Sequence, residues 1–286
     1  MKGKTKIGIV GQGFVGSAIK VGLENFHEVL TYDLDSSKCN HTFNQVCSQS
    51  EIIFICLPTP MRVDGSCDTR ILEDAIQDLY EHDATKNRKD KPILVIKSTV
   101  VPGTTERIDN KYLDMSVCFS PEFLTEANSF EDFKNQSRII IGGPRPATSI
   151  IKQMFRKAFP TIPIIKTGTR TAEMVKYFTN CFLATKVIFA NQMYNICNKT
   201  GIDYDKVCEY ALYDTRIGKS HLSVPGPDGD LGFGGHCFPK DLAAMISFAD
   251  NIEANNLFLK SVDDYNQSLR SNFDWKKMKG RAVSED

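Results

Sequence analysis

The decapeptide Gly232-Phe233-Gly234-Gly235-His236-Cys237-Phe238-Pro239-Lys240-Asp241 sets a thiol, a lysine and a carboxylate directly behind three glycines. Glycines let a backbone approach a ligand closely and take positive φ. A cysteine thiolate is a nucleophile, and a helix N-terminus or a nearby lysine makes a thiol more acidic. Pro239 suits the first turn of a helix, which places Cys237 at a loop-to-helix junction with Lys240 close by. The same residues also spell a glycine turn around a structural cysteine, and the decapeptide alone leaves both readings open. His236 stands directly before the thiol; adjacent side chains usually diverge, so it reads as a neighbour, with tuning of Cys237 as the alternative.

The remaining chemistry must be brought to that thiol by the fold. Lys6–Val10 is a short apolar run of the kind buried on both faces of a parallel sheet, and Gly11-Gln12-Gly13-Phe14-Val15-Gly16 follows it and opens a helix-like segment to about Asn25. In that setting the first glycine makes the turn, the second admits a pyrophosphate to the helix N-terminus, and the third lets helix and strand pack closely. The strand Glu28–Tyr32 ends at Asp33, about twenty residues past the glycines, where a carboxylate accepts hydrogen bonds from the adenosine ribose and repels a 2′-phosphate; NAD is therefore expected over NADP. Further strands end in Pro58-Thr59-Pro60, in Lys97-Ser98-Thr99 and in Ser120-Pro121-Glu122-Phe123-Leu124-Thr125-Glu126, all at the carboxyl edge where open α/β sheets bind ligands. The two carboxylates of the last stretch also suit helix capping.

Strands alternating with helices predict a doubly wound parallel (Rossmann) sheet over residues 1–168. From 169 to 286 the pattern turns all-α. Residues 171–199 form one long helix suited to a domain spine or dimer seam, with Lys176 and Asn180 on one face. Helices are expected over about 203–212, 239–249 and 252–269, a polar surface loop over 83–91, an irregular Pro/Gly loop over 223–230 and a frayed basic tail over 276–281.

Composition bounds the function. Thirty-five basic and thirty-five acidic residues give no net charge, so nucleic acid is not an expected partner. Nine cysteines without a CxxC pair argue against a disulfide framework and a structural metal, and no apolar run reaches membrane-span length. A cytoplasmic protein without metal is expected.

Taken in order, GQGFVG with Asp33, KSTVVPG, SPEFLTEA, AEMVKYFTNCFLA, DTRIG and GFGGHCFPKD resemble the UDP-glucose/GDP-mannose dehydrogenase family across residues 4–272. The resemblance implies NAD-dependent four-electron oxidation of a nucleotide sugar at C6, UDP-glucose to UDP-glucuronate first among them, by a homodimer. It implies that Cys237 forms a thiohemiacetal and then a thioester, that Lys176 and Asn180 stabilise the oxyanion, and that Glu126 and Asp241 handle water. Thr99 falls near cofactor and reacting carbon. Gly11, Gly13, Phe14, Val15, Gly16, Asp33, Lys38, Pro58, Thr59, Thr99 and Glu126 would meet NAD. Glu122, Phe123, Leu124, Lys176, Asn180, Arg216, His221 and Gly234 would meet the sugar nucleotide. The chain departs from the pattern at His236, at His221, in the longer VPGPDGD loop, and in stopping at Asp286 where the family usually continues with a third, nucleotide-holding domain. A β-hydroxyacid-type dehydrogenase, which needs no thiol, and a non-catalytic NAD- or sugar-nucleotide-binding module awaiting a partner chain are the alternatives.

Overall fold

The structure, a computed structural model, describes residues 4–285. Two compact units divide it: Met1–Thr59 with Thr69–Lys176, and Pro60–Asp68 with Tyr177–Asp286. The division falls inside a long helix, past the boundary at 168 that the sequence suggests.

The first unit is a seven-stranded sheet in the order β2-β1-β3-β4-β5-β6-β7, formed by β1 (Lys6–Val10), β2 (Glu28–Tyr32), β3 (Ile52–Ile55), β4 (Ile93–Ile96), β5 (Val117–Phe119), β6 (Ile139–Gly142) and β7 (Ile164–Thr167). Every pairing is parallel except β5 with β6, which meet antiparallel through Phe119 and Gly142. Alternating side chains fill two cores, one per face: Ile53 and Ile55 join Leu94 and Ile96 in one, Ile52 and Phe54 join Ile7 and Ile9 in the other. Helices α1 (Phe14–Leu23), α2 (Phe43–Gln49), α3 (Arg70–Glu81), α4 (Asp83–Lys86), α5 (Thr104–Lys111), α6 (Ser129–Lys134) and α7 (Ala147–Ala158) complete the layers. The stretch read as a surface loop after residue 82 thus holds the short α4, capped by His82 and anchored by buried Thr85.

Helix α8 (Thr169–Thr200) begins in the first unit, where Ala172 packs into a sheet core, and continues into the second. The second unit adds α9 (Tyr204–Ala211), α10 (Cys237–Asn251) and α11 (Leu257–Leu269). Helix α11 starts later than the expected 252, because Glu253 adopts φ 56° and breaks the backbone after α10. The tail is not frayed. Trp275 is 5% exposed and Ala282 fully buried. Met61 N donates to Ala282 O and Ser284 N to Met61 O, each at 2.8 Å, so the 60–68 segment and the tail form a small ladder. Among the described residues no helix is long and apolar enough to cross a membrane.

Candidate functional site

In the first unit the glycine loop has the shape its spacing predicts. Gly11 lies at φ 91°, where a side chain would collide with the Cys56 carbonyl, and a Cβ on Gly16 would overlap the Gly11 carbonyl. Around Gly13 there is open space to 4 Å, at the N-cap of α1. A pyrophosphate fits there against the N-terminus of α1. Phe14 and Val15 form the first turn of α1. Asp33 closes β2 with Oδ2 accepting from Gln12 N at 2.6 Å and Oδ1 from Asp35 N at 2.9 Å, which fixes its carboxylate beside the loop. Lys38 extends to Asp35 (3.1 Å). At the ends of β3 and β4, Ser98 Oγ donates to Leu57 O at 2.6 Å and Thr59 Oγ1 donates to Thr99 O at 2.7 Å, with Pro58 exposed between them. These residues fit NAD.

Beside them lies a buried charge cluster that the sequence reading resolved only in part. Lys176 Nζ donates to Glu122 Oε1 at 2.8 Å and to Glu122 O at 2.9 Å, while Glu122 Oε2 accepts from Leu124 N at 2.7 Å. Burial alone would raise the Glu122 carboxyl, but the Lys176 ammonium overcomes it and holds the group below its ordinary value. Lys97, which sequence reasoning passed over, is also buried and donates from Nζ to Pro121 O at 2.9 Å. Burial pushes its ammonium down to about 8, and neighbouring Lys176 adds to that. Phe123 is sandwiched by charge, with the Arg138 guanidinium 4.2 Å and Lys176 Nζ 5.8 Å from its ring centre. Glu126 sits on the exposed part of this loop. Glu173, also unanticipated, accepts from Gly103 N at 2.7 Å and Thr105 N at 2.8 Å, tying the start of α8 to the N-terminus of α5.

In the second unit Cys237 is the first residue of α10, so the helix opens on the thiol itself, two positions before Pro239. His236 Nε2 lies 3.4 Å from Cys237 Sγ. One turn on, Lys240 Nζ reaches Asp241 Oδ1 at 2.5 Å, and Asn180 Nδ2 reaches Asp241 Oδ2 at the same distance. All three are buried. Although burial lowers it, Lys240 is held above its ordinary value by Asp241, with the Cys67 and Cys237 thiols also near. Burial, with the Cys67 thiol and Asp241 nearby, raises Tyr177 well above its ordinary value. Burial pushes the Cys47 thiol up to about 11, and those of Cys56, Cys118 and Cys181 to about 12. Cys237 is half-buried at a helix N-terminus.

The glycine stretch ahead of Cys237 is held from three sides. Gly232 N donates to Asn191 Oδ1 (3.1 Å), Phe233 N to Asn266 Oδ1 (2.8 Å), and Gly235 N to both Asp274 oxygens (3.1 and 3.2 Å). The Arg270 side chain, fully buried, bonds Asp228 at 2.7 Å and Asn272 O, which latches the VPGPDGD loop. A cavity of about 490 Å³ opens here, lined by His221, Gly234, Phe238 and Asp274. His221 takes φ 64° and lies 5.6 Å from the Phe238 ring. Arg216 does not line that cavity; it is 87% exposed and forks Asp214.

The predicted residues thus gather into three groups: the glycine loop with Asp33; Glu122 and Phe123 with Lys176; and Asn180 with Asp241 and the Cys237 loop. Lys176 and Asn180 lie one turn apart on α8. Residues 39–159 match the NAD binding domain of the UDP-glucose/GDP-mannose dehydrogenase family, and residues 170–268 its central domain. A UDP-glucose 6-dehydrogenase of Bacillus subtilis (strain 168) is 32% identical, over 93% of this chain and 66% of its own. One of Rickettsia conorii (strain ATCC VR-613 / Malish 7) is 34% identical, over 86% of this chain and 56% of its own. The solved structure of a UDP-glucose dehydrogenase from Pyrobaculum islandicum superposes with a TM-score of 0.83 at 29% identity, covering 93% of this chain and 68% of that one. The chain spans between 54% and 66% of the length of the first three curated relatives. NAD is the cofactor of the matched first domain.

Proposed function

The chain belongs to the UDP-glucose/GDP-mannose dehydrogenase family, and from that premise we propose that it oxidises the C6 hydroxyl of a nucleotide sugar to a carboxylate, with UDP-glucose the first candidate. The observation that carries the reading is Cys237 at the first position of α10, followed one turn later by the buried Asp241.

Bound NAD⁺ supplies the hydride acceptor, once for alcohol to aldehyde and once for the oxidation that follows. Gly11, Gly13 and Gly16 shape the phosphate loop and Asp33 takes the ribose hydroxyls. The Cys237 sulfur adds to the aldehyde carbon: a C–S bond forms, the carbonyl π pair moves to oxygen, and the thiol proton ends on that oxygen. Loss of a second hydride and a proton gives a thioester. Water then attacks its carbon, the C–S bond breaks, and carboxylate and thiol are released. Lys176, paired with Glu122, and Asn180 offer donors to the oxyanions of these steps. Asp241 orients water or accepts its proton through a carboxylate held by Asn180 and Lys240, and Glu126 on the SPEFLTEA loop is a second candidate for that task. His221 and Gly234, at the 490 Å³ cavity, are the substrate-side candidates. Incubation with NAD⁺ and a panel of nucleotide sugars should produce NADH with at least one, and none with glucose alone; no NADH with any nucleotide sugar overturns the reading.

A homodimer belongs to the same proposal. Phe178, Phe182 and Phe189 on α8 are 70%, 60% and 61% exposed, and the first two stack with ring centres 6.4 Å apart. A run of exposed aromatics along one helix fits burial against a second copy. Sedimentation should give a dimer at micromolar concentration and a monomer for Phe178→Glu; a monomeric wild type contradicts it.

A further inference from the structure

We propose that His236 is a further catalytic residue: its imidazole takes the Cys237 proton and holds the sulfur as a thiolate ready to attack. The inference rests on Cys237 being the nucleophile proposed above. Consecutive side chains usually point apart, yet here the last loop residue and the first helix residue meet, with His236 Nε2 3.4 Å from Cys237 Sγ. In the tautomer with its proton on Nδ1, the ring presents Nε2 as an acceptor for the thiol. Both groups are half-buried, so their interaction is less screened than at an open surface and still accessible to substrate.

Other charged groups of this unit near the thiol have bonds of their own. Lys240, one turn along α10, bonds Asp241 at 2.5 Å and also lies near the Cys237 thiol. The Asp241 carboxylate takes its second donor from Asn180. Asp274 accepts from Gly235 N and approaches Arg270 at 3.6 Å. The Cys67 thiol lies near Lys240 and Tyr177. Among these groups, the one within bonding distance of the sulfur and able to change charge near neutral pH is His236.

The proton balance closes within the pair. The S–H proton passes to Nε2; the thiolate forms the C–S bond to the aldehyde carbon; the carbonyl electrons move to oxygen; and the imidazolium returns its proton to that alkoxide. His236 is neutral again before hydride transfer to the NAD⁺ of the proposed reaction. A thiolate made in this way is available at and below neutral pH, where an unassisted thiol is mostly protonated.

Alkylation of Cys237 by iodoacetamide tests this without NAD or sugar. The rate is followed from pH 5.5 to pH 9.5 by mass spectrometry of the Cys237 peptide, for wild type, His236→Ser and His236→Gln. In the wild type the rate should break in the imidazole range, near pH ~6.5. At pH 7 it should exceed that of either variant by about tenfold or more. A wild-type profile with a single break in the ordinary thiol range, near ~8.5, overturns the proposal and needs no variant to fold. Wild-type and variant profiles that superimpose overturn it as well. Failure of alkylation enhancement leaves Cys237 as nucleophile untouched, whereas failure of nucleotide-sugar oxidation with enhancement intact refutes the dehydrogenase reading and not the thiol–imidazole pair.

Discussion

Asn180 on α8 donates to Asp241 on α10 at 2.5 Å, and Lys240 takes the other carboxylate oxygen at the same distance. The three side chains are buried and their polar atoms face one another. Asp241→Asn would leave the Lys240 ammonium buried without its counter-charge. Breaking such a pair costs about 3–5 kcal/mol, so urea unfolding of the variant should show a loss of that size; a loss under about 1 kcal/mol contradicts the geometry. Because Asp241 holds Lys240 above its ordinary value, the pair's contribution is fully present below the unfolded value of 10.5, and the wild-type advantage should stay constant through neutral pH.

Lys97 has the opposite sign. Its folded value is lowered by burial to about 8, against 10.5 unfolded. The ammonium therefore costs most below pH 8, and the penalty fades as the folded protein releases the proton at higher pH. Relative to Lys97→Met, the wild type should gain about 2 kcal/mol between pH 7.5 and pH 10. Chemical unfolding of both proteins at the two pH values measures it, and a difference that does not change with pH refutes the assignment.

Trp275 is the single tryptophan and is 5% exposed. Its emission should be that of a buried indole and shift red on unfolding. Trp275→Ala should lower stability by about 3–5 kcal/mol, read by far-ultraviolet circular dichroism. Solvent-like native emission would mean that the tail does not pack.

Two thiols in the second unit separate the chemistry from its surroundings. Cys237→Ser should abolish NADH production or stall it at the aldehyde. Cys67→Ser keeps a hydrogen-bonding group next to the Tyr177 hydroxyl and should retain turnover within about threefold. Equal losses in both variants would remove the special standing of Cys237, and full activity in Cys237→Ala would favour a thiol-free dehydrogenase.

What could be read from the sequence was local. Lys6–Val10 and Glu28–Tyr32 are bounded as expected because each is an apolar run between breakers, and the glycine loop follows from spacing alone. Lys176 and Asn180 needed only helical periodicity to share a face. Lys97 was not legible, because its lowered value arises from burial, with Lys176 adding to it against the opposing Cys56 and Glu122, and these residues come from distant segments. The ordered tail was hidden for the same reason: its ladder partner is the segment around Met61. Arg216 could not be placed, since nothing in DTRIG says that the guanidinium forks its own Asp214. His236 meets Cys237 through side-chain rotamers, which no spacing encodes.

The central claim, a four-electron oxidation through Cys237, is tested most directly by counting. With limiting UDP-glucose, or whichever nucleotide sugar is turned over, and excess NAD⁺, two NADH should form per sugar consumed, and rapid acid quench should trap Cys237 carrying the sugar nucleotide as a thioester. One NADH per sugar, with free aldehyde and an unmodified Cys237, would contradict it.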